Sequence, residues 1–373
     1  NFYGLGAAWR ISQEEFLKDL SWLSELKLKA SYGEQGNDDL GLATAFPYLD
    51  TYTINATTSG SDIAFTQTFK GNKDITWEKN ANFNAGIDLG LFSNRLRIEA
   101  EYFNRKTTDM LYMKPLAMSG GFEQMPENIG DMKNEGFEIS LGADIVRNSE
   151  LNISFNANFT QVKNTITYLP SEVKTASRIM RNGGEMYKWY LREFAGVNSE
   201  TGAAQFVRID PKTGERSIVE EYALATQQEI DKKGYAPYYG GFGLNVDWKG
   251  FDLSVNFAYQ FGGYGYDSEY MAFFGGRRGY ALSNDYDKTW TVANKSADMP
   301  VVVYDNSKNY YSTSTMGLIK SDYLSLENVS LGYTFGDKLL GNTGIKSLRF
   351  YVLGDKLGVW SLSLIHISEP TRP

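Results

Sequence analysis

The sequence has no cysteine and one histidine, His366, in 373 residues. The missing cysteine excludes disulfides and thiolate chemistry. Together the two shortages remove thiol–imidazole nucleophile pairs and His-based zinc sites from everything before residue 366. No apolar run approaches the roughly 18 residues that a membrane-spanning helix needs. Lys and Arg number 37 against 45 Asp and Glu, a net charge of −8. An acidic balance disfavours nucleic acid and anionic membrane surfaces as partners. Residue 1 is Asn, with no charged n-region and apolar h-region behind it, so the chain reads as a fragment with no address of its own.

Glycine (37), tyrosine (25) and phenylalanine (22) are plentiful, and 42% of residues are hydrophobic. That composition fits an ordered, turn-rich β protein. The stretch NFNAGIDLGLFSNRLRIEAEYF, residues 82–103, shows the local rule. Phe83, Ala85, Ile87, Leu89 and Leu91 share one parity. After Ser93-Asn94 the alternation resumes with Leu96, Ile98, Ala100 and Tyr102. Period-2 patterning marks strands with one apolar and one polar face, joined here as a hairpin. The same grammar recurs in FYGLGAAWRI, ELKLKASYG, GFEISLGADI, LNISFNANFT, FGLNVDW, FDLSVNFAYQF, SLENVSLGYTF and LRFYVLG.

These segments run about 9–11 residues, the length of a tilted membrane-crossing strand, against about 5–6 for soluble domains. Their polar parity is rich in Asn, Gly, Ser and Asp, as a crowded wet lumen would be. Aromatics gather near strand ends (Tyr3, Trp9, Tyr32, Phe92, Tyr102, Phe103, Trp248, Phe261 and Phe335), the distribution of interfacial girdles. Short connections at 12–24, 92–95, 145–151, 248–251 and 336–346 alternate with long ones at about 34–80, 105–135, 161–240 and 263–323. An up-and-down antiparallel barrel with one tight rim produces that rhythm. It holds if the 161–240 insert supplies an even number of further strands, for which WYLREFAGV and AAQFVRID stand as candidates. The expected fold is therefore an all-β transmembrane antiparallel barrel, with lipid on the apolar face.

Five phrases carry a resemblance beyond pattern. ITWEKNANFNAGIDLGLFSNRLRIEAEYFNRKTTDML, MSGGFEQMPENIGDMKNEGFEISL, LKLKASYGEQGN, GVNSETGAAQF and DYLSLENVSLGYTFGDKLL with IKSLRFYVLGDKL resemble barrel segments of the SusC/RagA family of TonB-linked outer-membrane transporters. The likeness covers about residues 1–361. The final phrase departs from the family at Lys356-Leu357, where an asparagine-leucine pair usually stands. The resemblance implies a TonB-dependent receptor whose 22-stranded barrel is plugged by a separate N-terminal domain. This chain would supply roughly half of that barrel, with plug and TonB-contacting segment absent. It further implies active import of oligosaccharides or peptides, a SusD-like surface lipoprotein as lid, contact with outer-membrane lipid, and no cofactor. On that reading the isolated chain has open sheet edges and neither inserts nor transports alone. The last residues, 362–373 of SLSLIHISEPTRP, break the strand pattern and read as a non-native tail like adapter read-through. The alternatives are a passive porin and a secreted β-rich binding or adhesion protein.

Catalysis finds no support. Glu99 with Glu101, or Glu220 with Glu221, could form a glycosidase pair, but Glu99 and Glu101 lie beside Arg95 and Arg97, where a lumenal salt-bridge ladder is simpler. NSETG (198–202) and DPKTGE (210–215) look superficially like calcium loops, but Asp/Asn-x-x-Thr-Gly is more often a plain hairpin turn; no metal site is assigned. Substrate contact is expected from aromatics and cations of the long connectors: Trp189, Tyr190, Tyr238, Tyr239, Tyr264, Tyr266, Arg277 and Arg278. Tyr235, Tyr270, Phe273 and Phe274 belong to the same stretches. Deletion of 263–323 is expected to impair uptake more than trimming 336–346.

Overall fold

A computed structural model describes residues 2–41, 46–56, 63–276, 279, 284–336, 340–341, 345 and 347–361. The tail at 362–373 and the pair Arg277 and Arg278 lie outside the described residues. The main element is a ten-stranded antiparallel sheet whose strands follow one another in chain order. They are β1 (Gly4–Arg10), β2 (Leu23–Asn37), β3 (Glu78–Leu91), β4 (Leu96–Thr108), β5 (Asp131–Arg147), β6 (Leu151–Tyr168), β7 (Tyr238–Trp248), β8 (Phe251–Phe261), β9 (Tyr323–Phe335) and β10 (Leu348–Ser361). Short and long connections alternate as the sequence predicts. Several strands are longer than expected, up to 18 residues in β6, because pairing continues past the apolar stretch into the connectors.

The chain divides into two compact units. In the first (residues 1–140, 162–172 and 181–186), the apolar parity of the sheet is the uncovered one: Leu28, Phe83 and Ile87 are all exposed. The polar parity carries the charges. Lys29 Nζ lies 2.8 Å from Asp88, 3.6 Å from Glu101 and 3.9 Å from Glu99, and Lys27 lies 3.1 Å from Asp88. Glu99 and Glu101 thus both meet Lys29 across the strands. Phe103 corrects the girdle assignment: it sits on the polar parity, 4% exposed, with the Arg105 guanidinium 5.0 Å above its ring. Alternation weakens at the end of β4, so an aromatic near a strand end need not face outward.

The second unit comprises 141–161, 173–180 and 187–373. Its sheet shows two aromatic belts on the exposed apolar face. At the tight-turn end, Trp248, Phe251, Tyr333, Phe335 and Phe350 form a chain of ring contacts with centroids 4.5–6.3 Å apart. At the long-connector end, Phe159, Tyr238, Phe261 and Tyr259 do the same at 5.2–6.1 Å. The ten steps from Tyr238 to Trp248 correspond to about 34 Å of strand, or about 24 Å of height at a tilt near 45°, close to the apolar band of an outer-membrane barrel. A register shift in β9 explains why Leu324 and Leu326 share a face with Tyr259 and Phe257 while Val329 and Leu331 continue on it. One extra residue at Glu327 resets the parity, as a β-bulge does.

The β7–β8 turn is the two-residue Lys249-Gly250, with φ of 49° and 90°, the primed geometry that matches strand twist. A Cβ on Gly250 would stand 2.7 Å from the Thr334 carbonyl oxygen. Gly250→Ala is expected to destabilise the complete protein by about 1–2 kcal/mol from the left-handed backbone alone. A lower temperature of heat-modified gel migration would register it.

Two connectors of this unit fold on their own account. Within 169–237 lie a four-stranded sheet (Val173–Lys174, Arg178–Met180, Lys188–Arg192, Gln227–Glu229) and a three-stranded one (Phe194–Val197, Ala204–Ile209, Arg216–Val219). WYLREFAGV and AAQFVRID are therefore strands, but strands of these small sheets. β6 pairs directly with β7 from Leu151 opposite Trp248 to Gln161 opposite Tyr238. The reason is burial on both sides: Ala204, Phe206 and Val207 are all inside, which suits neither lipid nor lumen. Connector 262–322 adds the pair Tyr264–Tyr266 and Leu318–Lys320 and a one-turn helix α1 (Ser268–Ala272) capped by Asp267. The buried apolar core of this unit sits here, around Trp189, Leu191 and Leu318, Phe206 and Ala225, and Met271, Phe274 and Tyr311.

Candidate functional site

The two folded connectors clasp each other. Phe194 N donates to Thr315 Oγ1 (2.9 Å), Tyr222 Oη to the Thr313 carbonyl (2.8 Å) and Val301 N to the Gly202 carbonyl (2.8 Å). Trp290 Nε1 donates to the Ser199 carbonyl (2.9 Å), and Lys295 pairs with Glu200 at 2.9 Å. Gly202 has φ +73° and lies flat under the Trp290 indole. Gly202→Ala is expected to loosen this clasp and speed protease cleavage within 284–300 several-fold, readable by limited proteolysis of the complete protein.

The turns that resembled calcium loops are Asx turns. Asn198 Oδ1 accepts from Glu200 N and Thr201 N, and Asp210 Oδ1 accepts from Lys212 N (2.8 Å) and Thr213 N (3.0 Å). Those N–H groups, Thr213 first, hold the Asp210 carboxyl below its ordinary range. The Oδ1 atom of each is committed to the backbone, and no metal-holding group of carboxylates occurs among the described residues.

The aromatics expected to touch substrate separate into three situations. Tyr238 stacks on Phe261 at 5.2 Å on the apolar parity and belongs to the outer belt. Tyr239, its neighbour, faces the polar side opposite Gln260. Trp189, Tyr190, Tyr264 and Tyr266 gather where the connectors meet. Trp189 is 3% exposed, packs on Leu191, Ile230 and Leu318, and lies 6.4 Å from the Tyr266 ring. Its indole N–H has no acceptor among the described residues. Tyr266 is wedged over Gly317, and burial, the largest influence, raises its phenol.

Sequence reasoning missed the cations over these rings. Arg178 stands 3.2 Å above the Trp189 ring, Lys232 4.7 Å above Tyr264 and Lys174 5.5 Å above Tyr190. Lone basic residues in a polar connector carry no periodic signal. The only hint was their alternation with aromatics, as in Lys232-Lys233-Gly234-Tyr235.

Comparison with known proteins matches residues 2–353 to the family described as TonB dependent receptor-like, beta-barrel. TonB-dependent receptor SusC of Bacteroides thetaiotaomicron is 26% identical over 352 residues, covering 90% of this chain and 34% of that protein. TonB-dependent receptor P3 of Formosa agariphila is 25% identical over 388 residues, covering 95% and 37%. Among solved structures, the RagAB peptide transporter superposes with a TM-score of 0.85 at 28% identity, over 97% of this chain and 40% of that one. The chain thus spans between about a third and two-fifths of the length of these relatives.

Proposed function

The chain belongs to the TonB-dependent receptor-like β-barrel family, and from that premise we propose that it forms part of the wall of an outer-membrane importer energised through TonB. The family is one of receptors and transporters, not enzymes. The observation that carries the proposal is the uncovered apolar parity of the main sheet, bounded by aromatic belts. In water, so much contiguous apolar surface would drive aggregation; against acyl chains it costs nothing. The polar parity, with its Lys29–Asp88 pairs and the Asn256–Asn328 hydrogen bond (2.9 Å), suits a hydrated bore.

Cargo on this reading is an oligosaccharide or a peptide; the RagAB relative, described as a peptide transporter, supports the second. A SusD-like lipoprotein would close over the long-connector rim, where the folded 169–237 and 262–322 segments offer a rigid seat. The aromatic and basic residues where those segments meet are the proposed cargo-contacting group. The test is uptake of labelled oligosaccharides and peptides by cells carrying the complete protein, with and without a functional TonB complex. Uptake that stops without TonB is the expected result. Equal uptake in both backgrounds would indicate a passive porin, and recovery of the complete protein from the soluble secreted fraction would remove the membrane reading.

A further inference from the structure

We propose that the junction of the two folded connectors recognises carboxylate-bearing cargo, through Arg178 and Lys232 held over Trp189 and Tyr264. The inference rests on the importer reading and narrows its substrate class.

Aromatic rings in a carbohydrate-binding loop ordinarily work by offering an open face to the apolar side of a sugar. Here the faces are taken. Arg178 covers Trp189 at 3.2 Å and Lys232 covers Tyr264 at 4.7 Å. Lys174 over Tyr190 and Lys233 over Tyr235 repeat the arrangement at 5.5 and 5.4 Å. Such pairs occur about once per 70–80 residues in folded proteins, so these four, together with Arg192 at 4.4 Å over Tyr222, form a local concentration within 174–264. A ligand arriving at these rings meets cations first.

The four positions adjoin through the chain. Gly234 lies directly against the Arg178 guanidinium and the Tyr187 carbonyl. Ile230 packs on Trp189, and Lys232 N donates to the Ile230 carbonyl at 2.8 Å. Tyr264 N donates to the Lys233 carbonyl at 2.8 Å, and Tyr266, two residues on, contacts Trp189.

Neither Arg178 nor Lys232 pairs with a described carboxylate, whereas the adjacent Lys188 is met by Asp231 at 3.4 Å. Arg178 is half-buried, and that burial lowers its pKa against a single favourable influence from Tyr187. A desolvated cation without a counter-charge is unfavourable, and a ring face offsets only part of the cost. The guanidinium spends Nη1 on the Tyr187 carbonyl at 2.6 Å. Its Nε and Nη2 edge then presents two parallel N–H donors, the fork that matches the two oxygens of a planar carboxylate. Lys232 supplies a second, more adaptable charge. The carboxylate could belong to a uronic-acid oligosaccharide or to an acidic peptide.

The test is titration calorimetry on the detergent-purified complete protein with four probes: oligogalacturonate, maltohexaose, a glutamate-rich hexapeptide and its glutamine counterpart. At least one charged probe is expected to bind more tightly than its neutral partner. Arg178→Gln and Lys232→Gln are each expected to weaken the charged probe roughly tenfold, the scale of one charge-assisted hydrogen bond, with neutral-probe binding unchanged. Arg178→Lys should restore part of the loss. Which charged probe responds identifies the source of the carboxylate. Failure of both charged probes to bind would overturn the inference. So would equal binding of charged and neutral probes, unchanged charged-probe affinity in Lys232→Gln, or parallel losses for both probe types. TonB-dependent uptake of neutral cargo would leave the importer reading standing in each of those cases.

Discussion

Replacing residues 263–321 of the complete protein by a short flexible linker is expected to reduce cargo uptake to background, with the protein still present in the outer membrane. The wall survives because β8 and β9 already meet at their connector ends, Gln260 opposite Tyr323, so a tight linker closes the hairpin. The folded connectors do not survive. The deletion removes Tyr266 and Leu318 from the Trp189 cluster and Tyr310 from the Phe206 cluster. It also removes every hydrogen bond that holds the 198–202 turn to the 290–301 segment. Loss of a buried partner the size of Leu318 alone costs about 2–5 kcal/mol, so the 173–237 sheets should lose their fixed geometry. Trimming the connection at 336–346, on the tight-turn side, should leave uptake within about a factor of two. Labelled-cargo uptake normalised to surface-exposed protein measures both. Equal losses would contradict the assignment of the long connectors to the cargo-facing rim.

The second large effect separates two neighbouring positions. Leu244→Arg is expected to destabilise the complete protein in bilayers by about 2–4 kcal/mol, the penalty for a cation near the midplane on a barrel's lipid face. Leu244 stands six residues from the Tyr238 belt and four from Trp248. Asn245→Arg, one residue on, turns to the polar side, where Asn245 accepts from Ser254 Oγ at 2.8 Å. Its loss should cost only about 1 kcal/mol. Guanidinium unfolding of the lipid-reconstituted protein gives the comparison. Similar penalties at both sites would mean that the two faces meet the same medium.

The sheet was legible because its physics is periodic. A strand between lipid and water must alternate, and Phe251 through Phe261 does so without interruption. The connector bounds followed, since alternation stops where the wall stops. What escaped notice was aperiodic. The short strand Lys188–Arg192 alternates as the wall strands do, with Trp189 and Leu191 buried between half-buried neighbours, so nothing in its pattern told it from a barrel strand. Glu327 shifts parity through one extra residue, and Phe103 turns inward where β4 leaves the apolar zone. Trp189 reads in sequence as a solvent-facing platform, while in the fold it is 3% exposed. Its burial depends on Leu318, which lies far beyond any local window of the sequence. Arg178, close to Trp189 in sequence, was invisible because a lone basic residue in a polar connector has no period to betray it.

The mutual grip of the 169–237 and 262–322 segments bears on how such receptors can diversify. Each segment completes the interior of the other, so recombination that imports one from a divergent relative delivers a mismatched half. Chimeras with a single segment exchanged should misfold locally, whereas those carrying both from one donor should inherit that donor's selectivity. Engineers seeking a new appetite for such a receptor would need to transplant the two as a matched set.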